Sequence, residues 1–353
     1  MPRGSKKTGV SKPAAKADFN GKRPTINDIA RLTGVSKKTV SRVINESPLV
    51  HQETREKVKL IIAKYGFTPD PMARGLASRK SFLVGMIYDN PSPQYIIDLQ
   101  RGILDALATT GLQLVLRPAD RAHPEFLTEM RSFVERQKLF GAVLPPSISE
   151  DERLAALLRE LECPYVRIAS VSLDEPGVML VTNDHIGGRE AAQHLADLGH
   201  KTIGHISGPL SFRSAHERRR GFIQELSGRG IDVPAKYIAE GSYTFESGYA
   251  CATRLLALKP RPTAIFAGND EMAAGVYRAA RDANVELPRD LSVVGYDDSA
   301  LSTRVWPTMT TVHVPIRSVG SMAASRLVRP TTHHSTEVVP NLVVRASTAP
   351  PLG

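Results

Sequence analysis

Residues 25–45 read TINDIARLTGVSKKTVSRVIN, and this stretch decides how the start of the chain folds. Ile26, Ile29 and Ala30 recur at helical spacing and predict a short helix with one apolar face. Gly34 follows, a residue that takes positive φ at little cost and so suits a tight turn. Ser36 stands where a second helix would begin, its hydroxyl placed to accept a free backbone N–H. Val40, Val43 and Ile44 put that helix's back into a small core. Lys37, Lys38, Thr39, Ser41 and Arg42 are left on its other faces. A short helix with an apolar back and a basic, hydroxyl-rich front fits the DNA major groove. A helical hairpin with a solvated charged face shares these features. The turn glycine, the cap and the basic surroundings favour a helix-turn-helix.

The 353 residues carry a formal net charge of +10, unevenly spread. Residues 1–80 hold 18 Lys/Arg against 6 Asp/Glu, and the remainder holds 28 against 30. Such asymmetry is the electrostatic footprint of a nucleic-acid-binding head on a near-neutral body. A polybasic membrane anchor is the rival, but neither an amphipathic helix nor a lipidation motif accompanies the charge. No apolar run is long enough to cross a bilayer, and the polar N-terminus has no export-signal core, so a cytoplasmic protein is expected. Cys163 and Cys251 supply neither a disulfide framework nor metal spacing.

Outward from the opening stretch, residues 1–23 read as a disordered basic arm that adds phosphate attraction or merely solubility. Residues 52–64 carry Val58, Ile61 and Ile62 at helical spacing, a third helix stopped at Gly66. Residues 68–81, TPDPMARGLASRKS, are a linker by composition, or a hinge helix that forms only when docked, since one or two turns are marginal in water. From residue 82, β-branched apolar runs fall at 82–88, 112–116, 142–144, 165–168, 178–181, 203–206, 264–267 and 291–294. Helical segments such as 96–109, 151–161, 187–198, 217–226, 247–258 and 271–283 separate most of them. Strands alternating with helices predict parallel α/β sheets, and some 270 residues predict two lobes rather than one.

Ligands of such sheets bind beyond the carboxyl ends of the strands. Those positions hold Asp89 to Tyr95, Thr182 to His185, Arg213 and Arg218, Gly268-Asn269-Asp270, and Gly295 to Asp298. Carboxylates accept from sugar hydroxyls, arginine donates, and aromatic rings stack on C–H faces, so together they suit a polyhydroxylated ligand. Singly, each also serves as a turn or cap residue. No Gly-rich dinucleotide loop, phosphate-binding loop, zinc-protease helix or serine-hydrolase elbow occurs, so no catalytic residue, metal site or cofactor is expected. His333-His334 reads as a solvated loop and His200 as structural.

These motifs resemble the LacI/GalR family of bacterial transcription regulators across residues 24 to about 348. The head stretch, ETREKV and YGFTPDPMARGL carry the likeness. So do VTNDHIGGREAAQHLADLGHKTIGHISG, RRRGF, AIFAGNDEMAAGVYRA, LSVVGYDD, PTMTTV and LVVRAST. The resemblance implies an α/β protein with an all-α helix-turn-helix head at 24–67, a hinge at 68–81 and a two-lobed, periplasmic-binding-protein-like body at 82–348. The first lobe would span 82–181 and 312–328, the second 182–311 and 329–348, with crossings near Val181, at 310–314 and near Arg329. Lys37, Lys38 and Arg42 match base-reading positions. Thr39, Ser41 and Asn45 match phosphate-contacting or supporting ones. In the hinge, Arg74 and Leu76 match DNA contacts, Leu76 being the wedge that opens the minor groove.

In the body, Arg218 and Asp297 match effector-binding residues, Asn269 and Asp270 the rim of the same cleft, and Tyr243 a ligand-stacking aromatic. Asp89, Tyr95 and Asp184 join them from the strand ends. Arg167 stands where some sugar repressors carry a ligand-binding aspartate, which implies a changed set of contacts. His51 replaces the usual cap of the third helix. The tail after Thr348 is too short for a tetramerisation helix, so a homodimer on pseudo-palindromic operator DNA is expected. The implied function is repression of carbohydrate genes, relieved by a sugar or glycoside. Co-repressor control, or sugar binding without a regulatory role, are the alternatives.

Overall fold

The computed structural model describes residues 24–44, 47, 49–67, 81–330 and 336–352. The arm at 1–23, Asn45, the hinge with Arg74 and Leu76, and His333-His334 lie outside these residues. The chain divides into two units, 1–78 and 79–353.

The head unit is three helices, α1 (Ile26–Thr33), α2 (Lys37–Ile44) and α3 (Gln52–Tyr65). Thr25 caps α1 reciprocally: its hydroxyl accepts from the Asp28 amide, and Asp28 accepts from the Thr25 amide at 2.9 Å. Gly34 ends α1 at φ 73°, in the left-handed region where a Cβ is penalised. Ser36 then accepts from the Thr39 amide at 3.1 Å and starts α2. Ile29, Ala30, Val40, Val43, Val58 and Phe67 close the core. Lys37 and Lys38 are exposed, and Thr39, Ser41 and Arg42 are half-buried on the same helix. The His51 side chain makes no cap to α3.

The body unit holds two six-stranded sheets. The first is built from β1 (Leu83–Tyr88), β2 (Gln113–Pro118), β3 (Gly141–Leu144), β4 (Tyr165–Ala169), β5 (Met179–Val181) and β11 (Thr336–Glu337), ordered β11-β5-β4-β3-β1-β2. Its helices are α4 (Pro93–Leu107), α5 (Phe126–Gln137), α6 (Glu152–Glu160) and α11 (Ile316–Val328). The second sheet is built from β6 (Ile203–Ser207), β7 (Ile238–Glu240), β8 (Ala264–Ala267), β9 (Ser292–Asp297), β10 (Thr310–His313) and β12 (Asn341–Val343), ordered β12-β10-β9-β8-β6-β7. Its helices are α7 (Asp184–Asp197), α8 (Arg213–Gly228), α9 (Phe245–Leu256) and α10 (Asp270–Asp282). Every pairing is parallel except β10 with β12. The central strands β3, β4 and β8 are buried along their whole length, which is why β3 and β8 read as unbroken apolar runs, while β4 carries Arg167 at its centre.

The chain passes between lobes three times: after β5, between β10 and α11, and between β11 and β12. The expected crossing near Arg329 is corrected to the segment between Glu337 and Asn341. The cause is β11, which pairs with β5 through Thr336 and Leu180 and keeps the chain in the first lobe beyond α11. Likewise residues 312–313 belong to β10 of the second sheet, where they pair with Tyr296 and Asp297.

Helix pairs in both lobes cross unusually closely. A Cβ on Gly188 of α7 would clash with the Arg218 carbonyl of α8, and one on Gly221 of α8 would clash with the His185 carbonyl of α7. The same reciprocity joins Gly102 of α4 to Gly320 of α11, and Gly248 of α9 to Gly275 of α10. Glycine weakens an isolated helix. Here it lets two backbones touch.

Candidate ligand site between the lobes

A cavity of about 550 Å³, mouth included, lies between the carboxyl ends of the two sheets. The first lobe contributes Asn90, Ser92, Tyr95 and Pro146; the second contributes Asp184, Ser214, Arg218, Tyr243, Asn269 and Asp297. Thr182 and Val314 enter from two of the crossings, and Ile316 and Val319 from α11.

Arg218 organises the site. Its Nε donates to Asp184 Oδ1 at 2.8 Å, and its Nη1 donates to the Gly268 carbonyl. Its guanidinium lies 3.6 Å from the centroid of the Tyr296 ring, and Asp297 approaches Nη1 at 3.9 Å. Asp184 is itself held: its Oδ2 accepts from the Ser170 and Thr182 hydroxyls, and its Oδ1 from the Tyr296 hydroxyl. Burial works against the Arg218 charge, but Asp184 and the surrounding tyrosines and Asp297 outweigh it, so the guanidinium stays charged. Asp297 sits at φ 106° at the end of β9. Burial pushes its pKa up to about 8; Arg218 opposes the shift, and Asp270 and Asp184 add to it.

Asn269 caps α10 by accepting from the Met272 amide at 2.9 Å, and its amide donates to the Tyr243 carbonyl at 3.1 Å. Tyr243, at φ 61°, packs edge-on against Phe212 and leaves its hydroxyl beside Ser214 without a well-formed hydrogen bond. Tyr95 faces this group from the first turn of α4. Burial raises its hydroxyl pKa, and Asp184 and Asp297 raise it further. Of the nine sequence-predicted effector residues, Tyr95, Asp184, Arg218, Tyr243, Asn269 and Asp297 are thus brought together.

Of the other three, Asp89 and Arg167 are corrections, while Asp270 lines a smaller adjoining cavity with Ser92, Tyr95 and Asp297. Asp89 does not line the cavity; it accepts from the Ser147 hydroxyl at 2.9 Å and pairs with Arg121 at 3.4 Å. Arg167 lies in mid-strand on β4, only 1 % exposed, with Nε on the Ser149 carbonyl and Nη1 between Glu152 and Asp174. Its charge is consumed inside the first lobe. Asp270, the first residue of α10, turns toward β10: it accepts from Thr311 Oγ1 at 2.6 Å and from the Ser299 amide and hydroxyl. Burial pushes its pKa up to about 6, while the Thr311 and Ser299 donors hold it lower than burial alone would.

Sequence reasoning missed the contacts that join the lobes at the rim. Arg121 Nη2 donates to the Ser211 carbonyl at 2.6 Å, and Glu150 accepts from the Arg213 amide at the start of α8 at 3.1 Å. Phe212, the residue before α8, offers no side-chain cap, so a carboxylate of the other lobe takes that place. Arg121 and Glu150 sit in ordinary polar loops, and no local signal marks them. Pro146, Ser214, Val314 and Ile316 were missed for the same reason, being recruited only when the lobes meet. Among the described residues, no cluster of His, Cys, Asp and Glu could hold a metal ion. His200 is structural, bonded to Thr263, Ser292 and the Ala349 carbonyl.

Residues 25–70 match the family model described as bacterial regulatory proteins, lacI family, and residues 192–348 match a periplasmic binding protein-like domain. The chain is 34% identical over 306 residues to the catabolite control protein A of Priestia megaterium, covering 86% of this chain and 92% of that protein. It is 30% identical over 328 residues to the ribose operon repressor of Escherichia coli (strain K12), covering 92% and 99%. Among solved structures, it is similar to the lac repressor dimer bound to operator and an anti-inducer, with TM-score 0.75 and 28% identity over 93% of this chain and all of that one. No described helix is long and apolar enough to cross a membrane. With its helix-turn-helix head, its two-lobed body and relatives alike over nearly its whole length, the chain belongs to the LacI family of bacterial regulatory proteins, DNA-binding transcriptional regulators rather than enzymes.

Proposed function

We propose that the protein is a sugar-responsive repressor that acts as a homodimer on a pseudo-palindromic operator in the bacterial cytoplasm, at the nucleoid. The observation that carries this reading is a cavity walled by both lobes, with rim contacts that exist only while the lobes are together. A ligand that binds the two lobe arrangements with different affinity must shift their balance. The kinship to a ribose operon repressor and to an operator-bound dimer supports the sugar, the DNA and the dimer. Each head presents Lys37, Lys38 and Arg42 to base edges, with Thr39, Ser41 and Asn45 on phosphates or in support. The hinge adds Arg74 and Leu76 in the minor groove.

Operator titration at fixed salt, with and without a panel of sugars, tests the reading. At least one sugar is expected to weaken operator binding about tenfold or more, and strengthening instead would make it a co-repressor. If no sugar moves the midpoint by more than about twofold, under roughly 0.5 kcal/mol of coupling, the switch is refuted. Leu76→Ala is expected to remove most of the specific affinity while leaving non-specific binding nearly unchanged. Equal loss of both would remove Leu76 from the wedge position.

A further inference from the structure

We propose that the effector is an uncharged sugar, and that the cavity rejects phosphorylated and carboxylated sugars. This rests on the sugar reading above and narrows it. Arg218 is the only cation among the described residues lining the cavity, and no lysine or histidine joins it. Its charge is met by Asp184 at 2.8 Å, a residue 2 % exposed. Its remaining directions are partly taken by the Gly268 carbonyl and the Tyr296 ring. A third ionisable group, Asp297, lies beside the pair and adds negative charge once it ionises near pH 8, and Asp270 and Asp98 act on it from nearby. The site is therefore neutral or negative before any ligand enters. Arg167, the other arginine expected here, is locked between Glu152 and Asp174 inside the first lobe.

Helix N-termini are the fold's other attraction for anions, because free amides and the helix dipole favour negative charge. Three of the four near the cavity already carry a carboxylate at the cap or in the first turn. Helix α7 opens on Asp184 itself, α10 carries the Asn269 cap and Asp270, and α8 receives Glu150 from across the rim. Helix α4 has no side-chain cap, and opening on Pro93 leaves it one N–H fewer to offer. A phosphate or carboxylate would therefore meet Asp184, already paired with Arg218, an Asp297 carboxyl that burial keeps largely protonated at neutral pH, and no unpaired cation, and burying such a charge without a partner is strongly unfavourable. Hydroxyls meet the reverse situation: Asp297, Asn90, Ser92, Ser214 and the tyrosine hydroxyls offer donors and acceptors without demanding charge.

Calorimetric titration of the full chain tests this with uncharged mono- and disaccharides, each beside its phosphate or uronate counterpart at equal ionic strength. At least one uncharged sugar is expected to bind, with its anionic counterpart at least about 30-fold weaker. An anionic sugar that binds as well as or better than its neutral parent overturns the inference and leaves the sugar reading standing. Binding by no sugar, neutral or anionic, overturns the sugar reading itself. Asp297→Asn keeps the shape and suits the positive φ, and above pH 8, where Asp297 is ionised, it is expected to narrow the gap to under about tenfold. A gap that stays unchanged in that variant removes Asp297 as the source of the discrimination.

Discussion

Arg218→Ala is expected to bind operator as the wild type does and to ignore every sugar that releases the wild type. The partners of the side chain, Asp184, the Gly268 carbonyl and the Tyr296 ring, all belong to the body, so the residues of the DNA-reading helix keep their own contacts. In the body it is the counter-charge to Asp184 and the neighbour of Asp297. Removing one member of a buried ion pair costs about 3–5 kcal/mol, because the remaining charge stays buried without its partner. The variant body should therefore melt earlier, and effector affinity should fall at least about 30-fold, the equivalent of roughly 2 kcal/mol. Arg218→Lys separates the two effects. An ammonium restores charge near Asp184 but lacks the planar fork that also reaches Gly268 and stacks on Tyr296. It should recover part of the stability and little of the response. The measurement is operator titration with and without effector, alongside thermal melting. A full effector response in Arg218→Ala would remove the residue from the site.

Gly221→Ala is expected to damage the same site from outside it. The added Cβ would overlap the His185 carbonyl of α7, and backbone atoms cannot step aside as a flexible side chain can. The α7–α8 crossing must widen, which carries Arg218 on α8 away from Asp184 on α7. Overpacking of this kind typically costs about 1–3 kcal/mol, and the loss of the 2.8 Å Arg218–Asp184 contact adds to it. Gly228, the last residue of α8, is the control: a Cβ there meets nothing within 4 Å, so Gly228→Ala should be neutral or stabilising by up to about 1 kcal/mol. Denaturant unfolding of the two variants should show Gly221→Ala well below the wild type and Gly228→Ala at or above it. Equal midpoints for both would mean that the crossing has room to spare.

Much of this molecule was readable before any coordinates. The head was legible because its code is local: an apolar stripe, a turn glycine, a cap and a charge excess all lie within one or two helical turns. The parallel strands were legible because burial on both faces leaves unbroken apolar runs at 142–144 and 264–267. Strands β7, β10, β11 and β12 were missed, since two to four residues such as Thr336-Glu337 carry too little periodicity to read. Helix α11 was missed because IRSVGSMAASRLV breaks its apolar pattern with glycine and serine, and that glycine is Gly320, where α4 comes closest.

The sequence by itself determined most of the longer elements, which face of each is apolar, where the positive charge sits and which polar residues crowd the strand ends. It did so because propensity, periodicity and capping act over a few residues. Tertiary structure alone decided which of those polar residues share a cavity. Arg218 and Arg167 are both arginines in α/β elements of the same body. One reaches Asp184 across a glycine-lined helix crossing, and the other is held by Glu152 and Asp174 within its own lobe. Glu150 becomes the cap of α8 only when residues 63 apart in the chain are brought to hydrogen-bonding distance. Such partners are chosen by packing between distant segments, and spacing along the chain does not encode them.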